Sequence, residues 1–103
     1  MRGQIVATLR TKGFEIGKRL LHFDKHRLEH EWVDQFDYEI QADDFLTRPL
    51  TPSMRECHRR RDGALVRFDS STGEFGILHT SNYIGTYLYK GYRGLEYFER
   101  ECQ

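Results

Sequence analysis

The feature that most constrains this chain is a change of hydrophobic period near its middle. "ALVRFD" alternates, "DSSTGE" breaks the run, "EFGIL" resumes it, "HTSN" breaks it again, and "YIGTYLY" is β-branched and aromatic. Alternation with period two marks strands, and clusters of Gly, Ser, Asn and Asp between them mark antiparallel hairpins. Residues 54–60 add a candidate strand ahead of these. "LEYFERE" closes the chain as either a last strand or a terminal helix.

Ahead of residue 54 the period is helical. Leu21, Leu28, Trp32 and Phe36 recur at spacings of seven, four and four, which predicts a first helix over residues 19–36. "DYEIQADDFL" predicts a second, with Asp37 as N-cap and Tyr38, Ala42, Phe45 and Leu46 on one face. Pro49 and Pro52 end it, because each removes a backbone donor. The expectation is one α+β domain over residues 1–103, helical over about 14–48 and an antiparallel sheet over about 54–101. Its N-terminal helices pack on one face of a twisted sheet of about four strands, leaving the other face open.

A length of 103 residues suits one core. The hydrophobic fraction is only 38%, but 14% of residues are aromatic, and these bury the most area each. No apolar run approaches the roughly 18 residues that span a bilayer, and "MRGQIVATLRTKGF" lacks the pattern of a secretory signal. The reading is a cytoplasmic site of action. Two cysteines, Cys57 and Cys102, make no disulfide framework and are read as free thiols.

Net charge is zero, yet the charges are segregated. Arg2, Arg10, Lys12, Lys18, Arg19, Lys25 and Arg27 dominate residues 1–28. Residues 29–44 are acidic, without a Lys or Arg, and either bind a basic partner or are solvated. Arg48, Arg55, Arg59, Arg60, Arg61 and Arg67 make residues 48–67 basic again. Such segregation leaves room for a basic face on a neutral molecule.

His22, His26 and His30 lie four apart on the expected first helix, but no "HExxH" pattern accompanies them, so acid/base or phosphate contact is a better use of one of them than a metal. In the sheet, Arg67 interrupts "ALVRFD", Thr86 interrupts "YIGTYLY", and Lys90 follows it. Arginine suits phosphate recognition, a threonine hydroxyl can donate to a phosphate oxygen, and Tyr83, Tyr87, Tyr89 and Tyr92 can stack on unpaired bases. Alone, Thr86 is an ordinary strand residue. It shares the parity of Ile84 and Leu88, so it faces the core with them unless a bulge re-aims it.

The order "HFDKHRLEHEW", "DYEIQADDFL", "RDGALVRFDSSTGEFGILHTSNYIGTYLYKG" and "EYFER" resembles the small ribonuclease toxins of the barnase/EndoU/colicin/RelE-like superfamily. The nearest forms are the toxin domains of contact-dependent and polymorphic toxins and related phage-encoded domains. The resemblance implies metal-independent, cofactor-free endoribonuclease activity on RNA, with tRNA as a candidate, in which a ribose 2′-OH attacks the adjacent phosphate. It implies a catalytic set of His26 as acid/base, Arg67 on the phosphate and Thr86 on the phosphate or 2′-OH. Lys25, Tyr87 and Lys90 become substrate contacts. It also implies RNA as substrate and a cognate immunity or antitoxin protein as partner. Two other readings stay open: a non-catalytic RNA- or protein-binding module of the same fold, and a phage or accessory interaction domain.

Overall fold

A computed structural model describes residues 8–103. Two helices come first, α1 (Arg19–His26) and α2 (Gln35–Thr47). Four strands follow, β1 (Met54–His58), β2 (Leu65–Asp69), β3 (Glu74–Leu78) and β4 (Ile84–Tyr89). A short 3-10 turn, Gly91–Arg93, then leads into α3 (Gly94–Glu101). The strands form an antiparallel meander in the order β1-β2-β3-β4. This is an α+β fold. No helix among the described residues is long and apolar enough to cross a membrane.

The first helix is shorter than its pattern. Leu21 and Leu28 are exposed, so the apolar spacing does not mark a buried face. The helix stops at His26, and the chain turns through Arg27–Asp34 instead of continuing. Asp34 explains the restart: its side chain accepts from the N–H groups of Phe36 and Asp37, which makes it the N-cap of α2 in place of Asp37. Phe36 therefore belongs to α2. The expected inward face of that helix is as read, with Tyr38, Ala42, Phe45 and Leu46 at 2% exposure or less.

Cross-strand register assigns every sheet residue to a face. Arg67, Gly76 and Tyr87 form one row, and Val66, Ile77 and Thr86 the next, so these rows point in opposite directions. The first row meets α2. Phe45 lies 5.8 Å from Tyr87, ring to ring, and Phe45 and Leu46 occupy the space a side chain at Gly76 would need. In the second row, Val66 and Ile77 belong to a separate cluster with Phe68, Phe75, Leu88 and Phe98. "LEYFERE" is thus a helix, and it covers the face expected to be open. Tyr97 packs on Phe75 at 4.7 Å, and the Phe68 ring fits only because Gly94 has no side chain.

The cysteines correct a further expectation. Cys57 on β1 and Cys102 after α3 are joined in a disulfide, so neither is a free thiol. α3 folds back across the sheet and brings together sulfurs 45 residues apart in sequence. Arg59 secures the same end, donating to Glu101 at 2.8 Å and to Asp62 at 2.8 Å.

The acidic run 29–44 also has an internal use. Asp43 accepts from the backbone N–H groups of Arg10 and Thr11 at 3.0 and 2.8 Å, and Glu39 accepts from Phe14 N–H at 3.0 Å. Both carboxylates are nearly buried, and they tie the segment before α1 to α2. They answer backbone donors that would otherwise lack partners.

Candidate functional site

The six residues singled out from sequence divide into three places. Arg67 and Tyr87 are interior. The Arg67 guanidinium donates to Glu56 at 2.6 Å, to the Arg48 carbonyl at 2.6 Å and to the Phe45 carbonyl at 3.1 Å. Those carbonyls lie at the C-terminal end of α2, where four acceptors lack helical partners and a cation is favoured. Arg67 therefore closes a helix, at 8% exposure. Tyr87 is fully buried, and its hydroxyl donates to Glu74 at 2.5 Å while its carbonyl accepts from the Tyr38 hydroxyl. Burial, with the Glu74 carboxylate beside it, pushes the Tyr87 hydroxyl far above the usual tyrosine range.

Around these two lies a buried charge network. Arg48 bridges Glu74 at 2.9 Å and Asp69 at 3.3 Å. Ser53 and Ser71 donate to Asp69, and Thr72 donates to Glu74. Burial works against the Asp69 carboxylate, but the Ser71 and Ser53 hydrogen bonds, together with Arg48, hold it below the usual range. Desolvation likewise opposes the Arg48 charge and is outweighed by Glu74 and Asp44. Each buried charge here has its partners.

Thr86 stands apart from both. A register irregularity between Ile77 and Leu78 pairs Ile77 with Thr86 but Leu78 with Ile84, so Gly85 is the extra residue of a bulge. Ile84 joins the cluster of α2, whereas Leu88 joins that of α3. The shared parity of Ile84, Thr86 and Leu88 is broken between the first and the second. Half-buried Thr86 thus lies on the opposite sheet face from Arg67 and Tyr87. Gly85 also leaves space for the His79 ring, which stands where a Cβ would be.

His26 is tied to the C-terminal end of β4, and Lys90 follows that end with its side chain on the α3 side. His26, in the last turn of α1 and 7% exposed, places Nδ1 2.7 Å from Glu29 Oε2. The other Glu29 oxygen accepts from Tyr89 N–H at 3.0 Å. One carboxylate thus joins the histidine to the edge of β4. An ionised carboxylate here can only accept, so in a neutral ring the proton sits on Nδ1 and Nε2 is the free nitrogen. His30 stacks on the Tyr89 ring at 4.3 Å, and Trp32 meets both rings edge-on. His22 instead stacks on Phe14, and burial, followed by the charges of His26, Lys25 and Lys18, lowers its pKa. The three histidines therefore face three different neighbours. Among the described residues no three His, Cys, Asp or Glu side chains gather as a ligand set.

Lys90 follows Tyr89, and its ammonium lies 4.5 Å over the Tyr97 ring. Arg100 approaches the same ring at 5.6 Å, and Arg93 and Glu96 complete a recess of about 280 Å³. Lys90, Arg93 and Arg100 form no ion pair among the described residues. Sequence reading missed this patch. Its signal was present, since Arg93, Tyr97 and Arg100 are spaced four and three apart, a helical face, but it counts only once "LEYFERE" is a helix. Lys25 is exposed on α1 next to His26. Arg2 and the Tyr92 side chain lie outside the described residues.

Compared with protein-family models and with curated proteins, this chain matches none.

Proposed function

We propose that this chain is a toxin-like endoribonuclease domain that cleaves RNA without a metal, with its site at the C-terminal end of β4. The observation that carries the reading is the reach of Glu29, which holds His26 Nδ1 with one oxygen and Tyr89 N–H with the other, one residue before Lys90 in the chain. In this reaction His26 Nε2 takes the proton of a ribose 2′-OH. The freed oxygen attacks the adjacent phosphorus, the bond to the 5′-oxygen of the next nucleotide breaks, that oxygen takes a proton from water, and the proton on His26 Nε2 passes to solvent. The products are a cyclic phosphate end and a 5′-hydroxyl end. Lys90, Arg93 and Arg100 hold the backbone phosphates, and Tyr97 and Tyr89 offer rings to unpaired bases. Thr86, on the sheet face that α3 covers, is retained as a phosphate contact. Arg67 acts from the interior by fixing α2, and Tyr87 by fixing the network beneath β4. A cognate protein that covers the cationic patch would silence the domain.

One observation favours a second reading, the non-catalytic RNA-binding module. Arg67 is tied to internal partners and His26 is only 7% exposed, so little of the expected catalytic set faces outward. One experiment separates the two. Single-stranded RNA and tRNA are incubated with the protein in EDTA, and cutting is followed on gels while binding is followed by anisotropy. Cleavage that His26→Ala reduces by about 10²–10⁴-fold, with binding retained, supports the enzyme. Binding without cleavage, abolished by Arg93→Glu with Arg100→Glu, supports the module. RNA left both unbound and intact sinks both readings.

A further inference from the structure

A second recess lies on the other flank of α3, between its start and the β2–β3 turn. It encloses about 650 Å³ and is lined by Arg55, Phe68, Ser70, Ser71, Thr72, Gly73, Gly91 and Leu95. Its lining contains no carboxylate. Asp69 and Glu74, which flank the turn, are held by Arg48, Ser53, Tyr87 and the turn hydroxyls. Arg55 is exposed and forms no ion pair among the described residues; its guanidinium rests 5.9 Å from the Phe98 ring.

The hydroxyls of the turn have a fixed sense. Ser70 donates to the Ser53 carbonyl, Ser71 to Asp69 and Thr72 to Glu74, so each hydroxyl proton is used internally. What these oxygens offer a visitor is their remaining lone pairs, which accept hydrogen bonds. The wall between them and α3 is bare backbone. Gly73 has φ +82°, and a Cβ there would come within 3.0 Å of Gly91 N. The Lys90 N–H to Gly73 carbonyl bond, at 2.8 Å, holds the two segments together. Leu95 and the edge of Phe68 supply the apolar side.

We propose that this recess is a nucleotide subsite, with Arg55 on the phosphate, the turn oxygens accepting from ribose hydroxyls, and the base against Leu95. The ligand class follows from the lining. A lone inorganic phosphate would use the cation alone and leave the acceptors and the apolar wall idle. A neutral apolar ligand would leave the unpaired guanidinium idle. A nucleoside monophosphate uses all three, and the recess is large enough to hold more than a phosphate. The proposal rests on the RNA reading, as a place where a nucleotide of the bound strand lodges across α3 from the cationic patch.

The test uses the full chain, labelled with nitrogen-15 and titrated separately with a nucleoside 5′-monophosphate and with inorganic phosphate. The expected result is saturable amide shifts centred on Ser70–Gly73, Gly91 and Leu95 with the mononucleotide. Inorganic phosphate binds more weakly. Arg55→Gln, an exposed change checked for folding by its melting curve, weakens the mononucleotide about tenfold or more. Absence of these shifts at millimolar mononucleotide, equal affinity for inorganic phosphate, or unchanged affinity in Arg55→Gln each overturns the subsite. RNA cleavage is assayed in parallel. Cleavage without mononucleotide binding fells the subsite alone; mononucleotide and RNA binding without cleavage fells the ribonuclease reading alone; mononucleotide binding without RNA binding fells the ribonuclease reading and the subsite's place on a bound strand.

Discussion

The two sides of the sheet treat charge in opposite ways. Beneath α2, Arg67, Asp69 and Glu74 are buried and Arg48 is half-buried over them, and every one is matched by an opposite charge or a hydrogen-bond partner. Around α3, Arg55, Lys90, Arg93 and Arg100 are exposed and have no carboxylate partner among the described residues. Removing a partner from the enclosed group strands a charge away from water. Removing a cation from the exposed group costs the fold little and weakens the hold on a polyanion. The same residue types therefore serve architecture on one side and recognition on the other.

That contrast can be broken most directly at Arg48. Arg48→Met leaves Asp69 and Glu74 buried without their cation, and a loss of about 3–5 kcal/mol in urea-unfolding stability is expected. RNA affinity of the remaining folded protein is expected to be unchanged. A variant as stable as the original would show the network to be incidental.

On the α3 side the largest stability effect belongs to the disulfide. Cys57→Ser with Cys102→Ser is expected to cost roughly 2–4 kcal/mol, because the link closes a long loop in the unfolded chain. The melting temperature falls on adding dithiothreitol to the original protein and does not respond in the double variant. Identical curves with and without reductant would mean that the sulfurs are not bonded in solution.

Recognition is sharpened by Arg93→Glu with Arg100→Glu. The melting curve stays put, while affinity for single-stranded RNA falls. The slope of log affinity against log salt flattens by about 0.7 for each phosphate that is no longer neutralised. A changed melting curve with an unchanged salt slope would move these arginines into the architectural group.

The smallest effect is in acid. Asp69 has its folded pKa held below its unfolded value, so it contributes stability that is present above the unfolded value, near 3.9, and lost as pH falls through the folded one. Asp69→Asn is expected to flatten this part of the acid limb, read as melting temperature between about pH 5 and pH 2. An acid limb of unchanged steepness would remove Asp69 from the account.

Much of the fold was legible because its signals are local. Period-two alternation, the Ser-Ser-Thr-Gly and Thr-Ser-Asn turns and the face of α2 each depend on a few neighbouring residues. The length of α1 was not legible. Leu21, Leu28, Trp32 and Phe36 imitate a helical stripe, and only the Asp34 cap and the Glu29 contacts show where the helix stops and α2 begins. At the candidate site, His26 was legible as a titratable group beside Lys25, but its carboxylate partner was not. Glu29 matters because one of its oxygens reaches a strand 60 residues away.

Local period and side-chain type were enough to set the four strands and their place after two helices, the inward face of α2, and which residues are candidates for acid/base and phosphate chemistry. None of them could bring Cys57 to Cys102, lay α3 over the second face, or bulge the chain at Gly85 to set Thr86 across the sheet from Tyr87. Each of those outcomes depends on register or on contacts between distant segments, and one inserted residue is enough to exchange the faces of a strand.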